Sequence, residues 1–138
     1  MCGITGWLCS PDKQPISDVL ERMADTIRHR GPDDQGFYRE PALGLALAHR
    51  RLSIIDLSDA SHQPMLDAAR KLALVYNGEL YNFRELRHEL QGRGHIFHSS
   101  GDTEVVLRSY IEWGVTAFAR FNGMFALALW DEKGGTLH

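Results

Sequence analysis

Cys2 is the residue whose type and position could do the most chemistry. Removal of an initiator Met is easy before so small a side chain, and it leaves one residue carrying both a thiol and a free α-amine. Free α-amines titrate near about 7.7–8.0 and free thiols near about 8.5, so nucleophile and proton acceptor can be a single residue working close to neutrality. That is the logic of an N-terminal nucleophile. A cysteine that follows Met by chance is the competing reading, and the dipeptide alone favours it. The other cysteine, Cys9, makes no CxxC pair with Cys2, and no Cys/His spacing resembles a zinc site. His95 and His98 flank two apolar residues without a nearby carboxylate pair, so they read as solvent-facing or hydrogen-bonded histidines and no metal is expected. The chain has neither G-x-x-x-x-G-K-[ST] nor G-x-G-x-x-G, the loops that cradle nucleotide phosphates.

A chain of 138 residues suits one domain with a core of its own. With 43% hydrophobic residues, 24% charged residues and a net charge of −3, it reads as an ordinary soluble protein without a nucleic-acid-binding surface. The runs Ala42–Ala48 and Met124–Trp130 are too short to span a bilayer, and no charged segment precedes an apolar one as in a signal peptide. A cytoplasmic protein with free thiols is the expectation.

Gly3–Leu8 reads as a buried strand, and Val19, Leu20, Met23 and Ile27 recur at helical spacing over about Ile16 to His29. Gly31-Pro32 stops that helix. Gly36–Arg39, Leu43–Ala48, Leu52–Ile55 and Leu72–Tyr76 read as strands, the last followed by Asn77-Gly78, which is ordinarily a hairpin turn. Asn82 and Glu85 have capping-box spacing for a helix to about Gln91, and Asp102 suits the N-cap of a helix through Trp113. After a short helical stretch at Ala117–Phe121, Met124–Trp130 is apolar enough for a strand buried on both faces. A strand beginning at Thr136 implies a domain that continues past His138, so residues 1–138 are expected to be an incomplete domain. Strand runs and paired helices in this order point to an α+β layered fold.

Seven motifs occur in order: Cys2-Gly3-Ile4, Arg28-His29-Arg30-Gly31-Pro32-Asp33, His49-Arg50-Arg51-Leu52-Ser53-Ile54-Ile55-Asp56, Gln63-Pro64-Met65, Asn77-Gly78-Glu79-Leu80-Tyr81-Asn82, Gly101-Asp102-Thr103-Glu104 and Phe121-Asn122-Gly123-Met124-Phe125-Ala126. The series resembles the N-terminal glutaminase domain of glutamine-hydrolysing asparagine synthetases, class II glutamine amidotransferases of the N-terminal-nucleophile hydrolase fold. That resemblance reverses the odds at Cys2 and implies an αββα sandwich of two antiparallel sheets. It implies hydrolysis of L-glutamine through a thioester on Cys2, with ammonia passing to a synthetase domain in cis. ATP and Mg belong to that domain, and no cofactor is implied here. A homodimer is compatible with the family. Two alternatives stay open: a non-catalytic remnant that binds glutamine or a partner, and a related amidotransferase with another acceptor.

The resemblance also implies roles. Cys2 supplies nucleophile and base, while Asn77 and the Gly78 N–H form the oxyanion hole. Arg51 binds the substrate α-carboxylate, a geometry suited to guanidinium. Asp102 takes the α-ammonium with Glu79 beside it, and the backbone of Leu52, Ser53, Ile54 and Ile55 lines the pocket. Arg50 should point elsewhere, to the surface. Arg30 and Met124 match positions near the ammonia tunnel, although burial alone would account for Met124. A strand-edge ion pair for Arg51 and a plain N-cap for Asp102 are the competing accounts.

Overall fold

The computed structural model describes residues 2–15, 18–54 and 56–138. Two antiparallel sheets face each other. The first has the order β1-β3-β2, from β1 (Gly3–Leu8), β2 (Asp34–Glu40) and β3 (Leu45–Arg51); the second runs β4 (Met65–Asp67), β5 (Leu72–Leu80), β6 (Gly123–Asp131) and β7 (Thr136–Leu137). Helix α1 (Val19–Thr26) covers the outer face of the first sheet, and α2 (Phe83–Gly92) with α3 (Asp102–Trp113) covers the second. The layers therefore stack as αββα.

The period-2 alternation of a strand explains the stacking. On β3, Ala46 and Ala48 face Leu20 and Ala24 of α1, while Leu45 and Leu47 face Ala73 and Val75 of β5 and Trp130 of β6. Small residues on the helix side let α1 lie close. On β5 the opposite face carries Leu72, Leu74 and Tyr76 against Leu86 and Leu90 of α2 and Val105 and Val106 of α3. Each fully buried leucine in these layers stabilises the fold by about 1.5–3 kcal/mol before entropy is counted.

Several expectations are corrected. Residues 52–54 form no strand: the chain leaves the first sheet after Arg51 and crosses to the second, with a bend at Ile54, and Ile55 lies outside the described residues. Asn77-Gly78 is not a turn, because β5 runs through it, pairing Asn77 with Ala126 and Gly78 with Phe125. The strand β4 was hidden by its shortness. The first half of β6 is open to solvent, Met124 being 64% exposed, so it is not buried on both faces and burial does not account for Met124. Asn82 makes no capping bond; its Nδ2 donates to Arg120 O and its Oδ1 accepts from Asn122 N–H, tying the start of α2 to the entry of β6. The N-cap of α3 is Gly101, with Asp102 one residue inside. β1 is a half-buried edge strand rather than a buried one. Helix α1 stops at Thr26, and Arg28–Arg30 forms a separate 3-10 turn; Ile16 and Ser17, at the expected start, lie outside the described residues.

Arg50 is the largest surprise. It sits on the α1-facing side of β3, almost wholly buried, where its Nε donates to Ala24 O at 3.1 Å and its guanidinium pairs with Asp25. A cation at the C-terminal end of a helix suits the exposed carbonyls there, and Ala24 O takes the Arg50 bond beside one from the Ile27 N–H at 3.2 Å.

Candidate active site

Cys2 lies just ahead of β1, and the end of β3 leads straight into it: Gly3 pairs with Arg50, and the Leu52 N–H donates to Cys2 Sγ at 3.3 Å. Cys2 Sγ also lies 3.7 Å from Leu52 O. Arg30 Nε donates to Cys2 O at 2.9 Å, so the motif from Arg28 to Asp33 is fastened to the cysteine backbone. Gly31 is needed there, since a Cβ would fall 2.4 Å from Arg50 O and 2.6 Å from Arg51 N.

One cleft, open at its mouth, has Cys2, Arg51, Leu52, Ile54, Asn77, Gly78, Glu79 and Asp102 on its walls. Of the expected residues Ser53 is missing from the lining; its N–H is turned to Asp33 Oδ2 at 2.8 Å, and Ile55 lies outside the described residues. Sequence reasoning missed Asp56, Ser61, Gln63, Tyr76, Gly101 and Thr103. Asp56, Gln63, Gly101 and Thr103 stand inside motifs already noticed, and that was the available signal.

The two sheets contribute different parts. The first brings Cys2 and Arg51; β5 of the second brings Asn77 and Gly78. Asn77 Oδ1 is buried and has no hydrogen-bond partner among the described residues, so the carboxamide retains bonding capacity inside the cleft. A Cβ at Gly78 would sit 2.4 Å from Met124 O and 2.5 Å from Phe125 Cα. The glycine is therefore dictated by the approach of β6, quite apart from any substrate.

Arg51 donates to Ser58 O at 3.1 Å and to Asp56 O. Among the described residues it pairs with no carboxylate, which removes the strand-edge ion pair as its explanation and leaves its charge facing the cleft. Asp102 carries the opposite charge. Its Oδ2 accepts from Leu80 N–H at 2.9 Å and from the Tyr76 hydroxyl at 3.2 Å. Burial raises its pKa above the ordinary aspartate range, only partly offset by these bonds. Burial, and then the Asp102 charge, push the Tyr76 hydroxyl up as well, so it remains a donor. Gln63 links the same region by accepting from Tyr76 N–H at 2.6 Å and donating to Thr103 Oγ1 at 3.2 Å.

His49, fully buried between the sheets, has Nε2 3.1 Å from Tyr76 O. That acceptor places the proton on Nε2 and leaves Nδ1 buried without a partner among the described residues. Burial drives its pKa down to about 4. Among the described residues, no group of three or more His, Cys, Asp or Glu could hold a metal ion, and no helix is long and apolar enough to cross a membrane.

A family model described as a glutamine amidotransferase domain matches residues 1–138. The chain belongs to this family. It is 44% identical over 137 residues to asparagine synthetase [glutamine-hydrolyzing] 3 of Bacillus subtilis, covering 96% of this amidotransferase chain and 22% of that protein. It is 37% identical over 145 residues to a putative asparagine synthetase [glutamine-hydrolyzing] of Mycobacterium tuberculosis, covering 95% and 22%. This amidotransferase chain thus spans about a fifth of the length of the curated relatives it matches. Its fold is that of the glutamine phosphoribosylpyrophosphate amidotransferase of B. subtilis, solved with ADP and GMP: TM-score 0.71, 21% identity, covering 95% of this chain and 35% of that one. The N-terminal-nucleophile hydrolase sandwich is the fold of this domain.

Proposed function

We propose that this chain is the glutaminase unit of a glutamine-dependent asparagine synthetase. It hydrolyses L-glutamine to glutamate and ammonia, and the ammonia goes to an ATP- and Mg-dependent synthetase domain of the full-length polypeptide, in the cytoplasm. One observation carries the reading: Cys2, Arg51, Asn77, Gly78 and Asp102, far apart in sequence, line a single cleft. The names of the relatives support the acceptor half of the proposal.

In this mechanism Met1 is removed and the Cys2 α-amine takes the thiol proton as Sγ attacks the glutamine carboxamide carbon. Asn77 and the Gly78 N–H stabilise the tetrahedral oxyanion, a contribution of about 10²–10³ in rate for one such donor. The ammonium form of the amine then protonates the leaving nitrogen, ammonia departs and a thioester remains. Water, deprotonated by the same amine, attacks the thioester and frees glutamate and the thiol. Arg51 holds the α-carboxylate, and Asp102 with Glu79 holds the α-ammonium. Because burial raises the Asp102 pKa, glutamine affinity is expected to fall on the acid side, where this carboxylate takes up a proton.

The test is glutamate release from glutamine by the full-length protein, with intact-mass spectrometry of its N-terminus. The expected result is turnover in protein that starts at Cys2 and none in Cys2→Ala, which still binds glutamine. Full turnover with Met1 retained would sink the mechanism. The remnant reading predicts glutamine binding without turnover in the unsubstituted protein.

A further inference from the structure

We propose that Asp56 is a positioning residue for glutamine, tying the Arg51 side of the cleft to the Asp102 side. The inference rests on the glutaminase reading above and adds a residue to which no role has been given.

Asp56 lies on the crossover between β3 and β4, is buried, and lines the cleft. Its Oδ1 accepts from the Ser58 N–H at 2.8 Å and from the Ser58 hydroxyl at 2.6 Å, closing a tight turn. That turn sets the spacing of two carbonyls, Asp56 O and Ser58 O, and these are the two that accept from the Arg51 guanidinium. The direction in which Arg51 points is therefore fixed by the turn that the Asp56 carboxylate closes.

The other carboxylate oxygen reaches across the chain. Asp56 Oδ2 accepts from the Ser100 N–H at 2.6 Å, two residues before Asp102. The segment around Ser100 is also held by Arg87, which donates to Ser99 O and Gly101 O, each at 2.8 Å, and by Glu104, which accepts from the His98 and Ser99 N–H groups. Among these holding side chains Asp56 is the one that lines the cleft. One carboxylate thus sets the distance between the cation and the anion that would grip the two ends of the amino acid. Burial alone would raise the Asp56 pKa, but the bonds from Ser58 and Ser100 outweigh it and hold the group well below the usual range. The tie does not loosen at working pH.

The chemistry requires acceptors on both oxygens. Asparagine at this position can keep the Ser58 bonds, but it turns an N–H₂ toward the Ser100 N–H. The full-length Asp56→Asn protein is therefore the informative variant, and Ser58→Ala, which removes one donor and no backbone bond, is the milder one. Glutamine binding is measured by calorimetry in a Cys2→Ala background, and steady-state turnover in the Cys2 background. Asp56→Asn should weaken glutamine affinity and raise KM by about 10-fold or more, the scale of one charge-assisted hydrogen bond, with kcat within about 3-fold. Ser58→Ala should shift KM the same way by about 2–3-fold. Iodoacetamide should alkylate Cys2 at the unsubstituted rate in both, since β1 and Leu52 place the thiol.

Unchanged affinity in a folded Asp56→Asn protein overturns the proposal, as does a fall in kcat at constant KM. If Asp56→Asn does not fold, an unchanged KM in Ser58→Ala overturns it. If the Cys2→Ala protein itself binds no glutamine, the glutaminase reading fails first and takes this inference with it.

Discussion

Replacing Gly78 by alanine separates two reasons for a glycine in the wall of the cleft. If glycine were needed only to let substrate approach, Gly78→Ala would lose activity and keep its stability. The geometry says otherwise. The added Cβ would lie 2.4 Å from Met124 O, 2.5 Å from Phe125 Cα and 2.5 Å from Phe125 Cβ. Carbon contacts are comfortable near about 3.5 Å, so β6 must retreat by about 1 Å. Two of the three atoms belong to backbone, which cannot swing aside. Overpacking of this kind costs about 1–3 kcal/mol. Stretching the adjoining ladder hydrogen bonds between β5 and β6 adds about 0.5–1.5 kcal/mol for each bond lost. The sum, about 2–4 kcal/mol, corresponds to a fall in melting temperature of about 10 °C for a domain of this size. The assay is thermal unfolding of the full-length protein without glutamine, followed by circular dichroism and repeated by calorimetry. A melting temperature within about 2 °C of the unsubstituted protein would refute the packing argument and return the glycine to a purely catalytic explanation.

Arg51→Ala should weaken glutamine binding by about 1.5–3 kcal/mol in calorimetry, whereas Arg50→Ala should lower the melting temperature and leave KM unchanged, because Arg50 serves α1. An altered KM in Arg50→Ala would contradict its assignment. Tyr76→Phe removes one of the two bonds to Asp102 Oδ2 and should raise KM for glutamine by about 3–10-fold with kcat little changed, read from steady-state kinetics. His49 sets an acid limit on stability. Its folded pKa of about 4 lies below the unfolded value near 6.5, so the unfolded state binds the extra proton between those pH values. Its contribution is complete above about pH 6.5 and is lost as pH falls toward 4, on the order of 3 kcal/mol in all. Urea unfolding at stepped pH should show that slope, and His49→Gln, which can still donate to Tyr76 O, should flatten it; an unchanged slope would remove His49 as its source.

Most of the architecture was legible because strand and helix periods differ. Val19, Leu20 and Met23 on α1, and Val106, Leu107 and Tyr110 on α3, repeat at helical spacing; α3 spans the expected residues, while α1 is shorter than its pattern at the C-terminal end. What failed was local chemistry overruled by distant contacts. Asn77-Gly78 has the composition of a turn, but β6 pairs across it and keeps it extended. Asp102 has the composition of an N-cap, but Leu80 and Tyr76, more than twenty residues away, take its carboxylate. Arg50 and Arg51 are indistinguishable as types; the alternation of β3 alone sends one to a helix end and the other to the cleft. Asp56 was passed over for a related reason. Its partner Ser100 lies 44 residues further along the chain, and no spacing rule joins the two.

The division of the cleft between two sheets has a mechanical consequence. Cys2 and Arg51 travel with one slab and Asn77 and Gly78 with the other, so a sliding of the slabs past each other changes the distances between the two pairs while breaking no strand ladder. The bolts against such shear are the side chains in the seam, Leu45 and Leu47 against Ala73, Val75 and Trp130. Their shapes are thus part of the tolerance of the machine. A change that trims Val75 therefore has two costs, the lost core packing that lowers the melting temperature and a looser register between the two halves of the cleft.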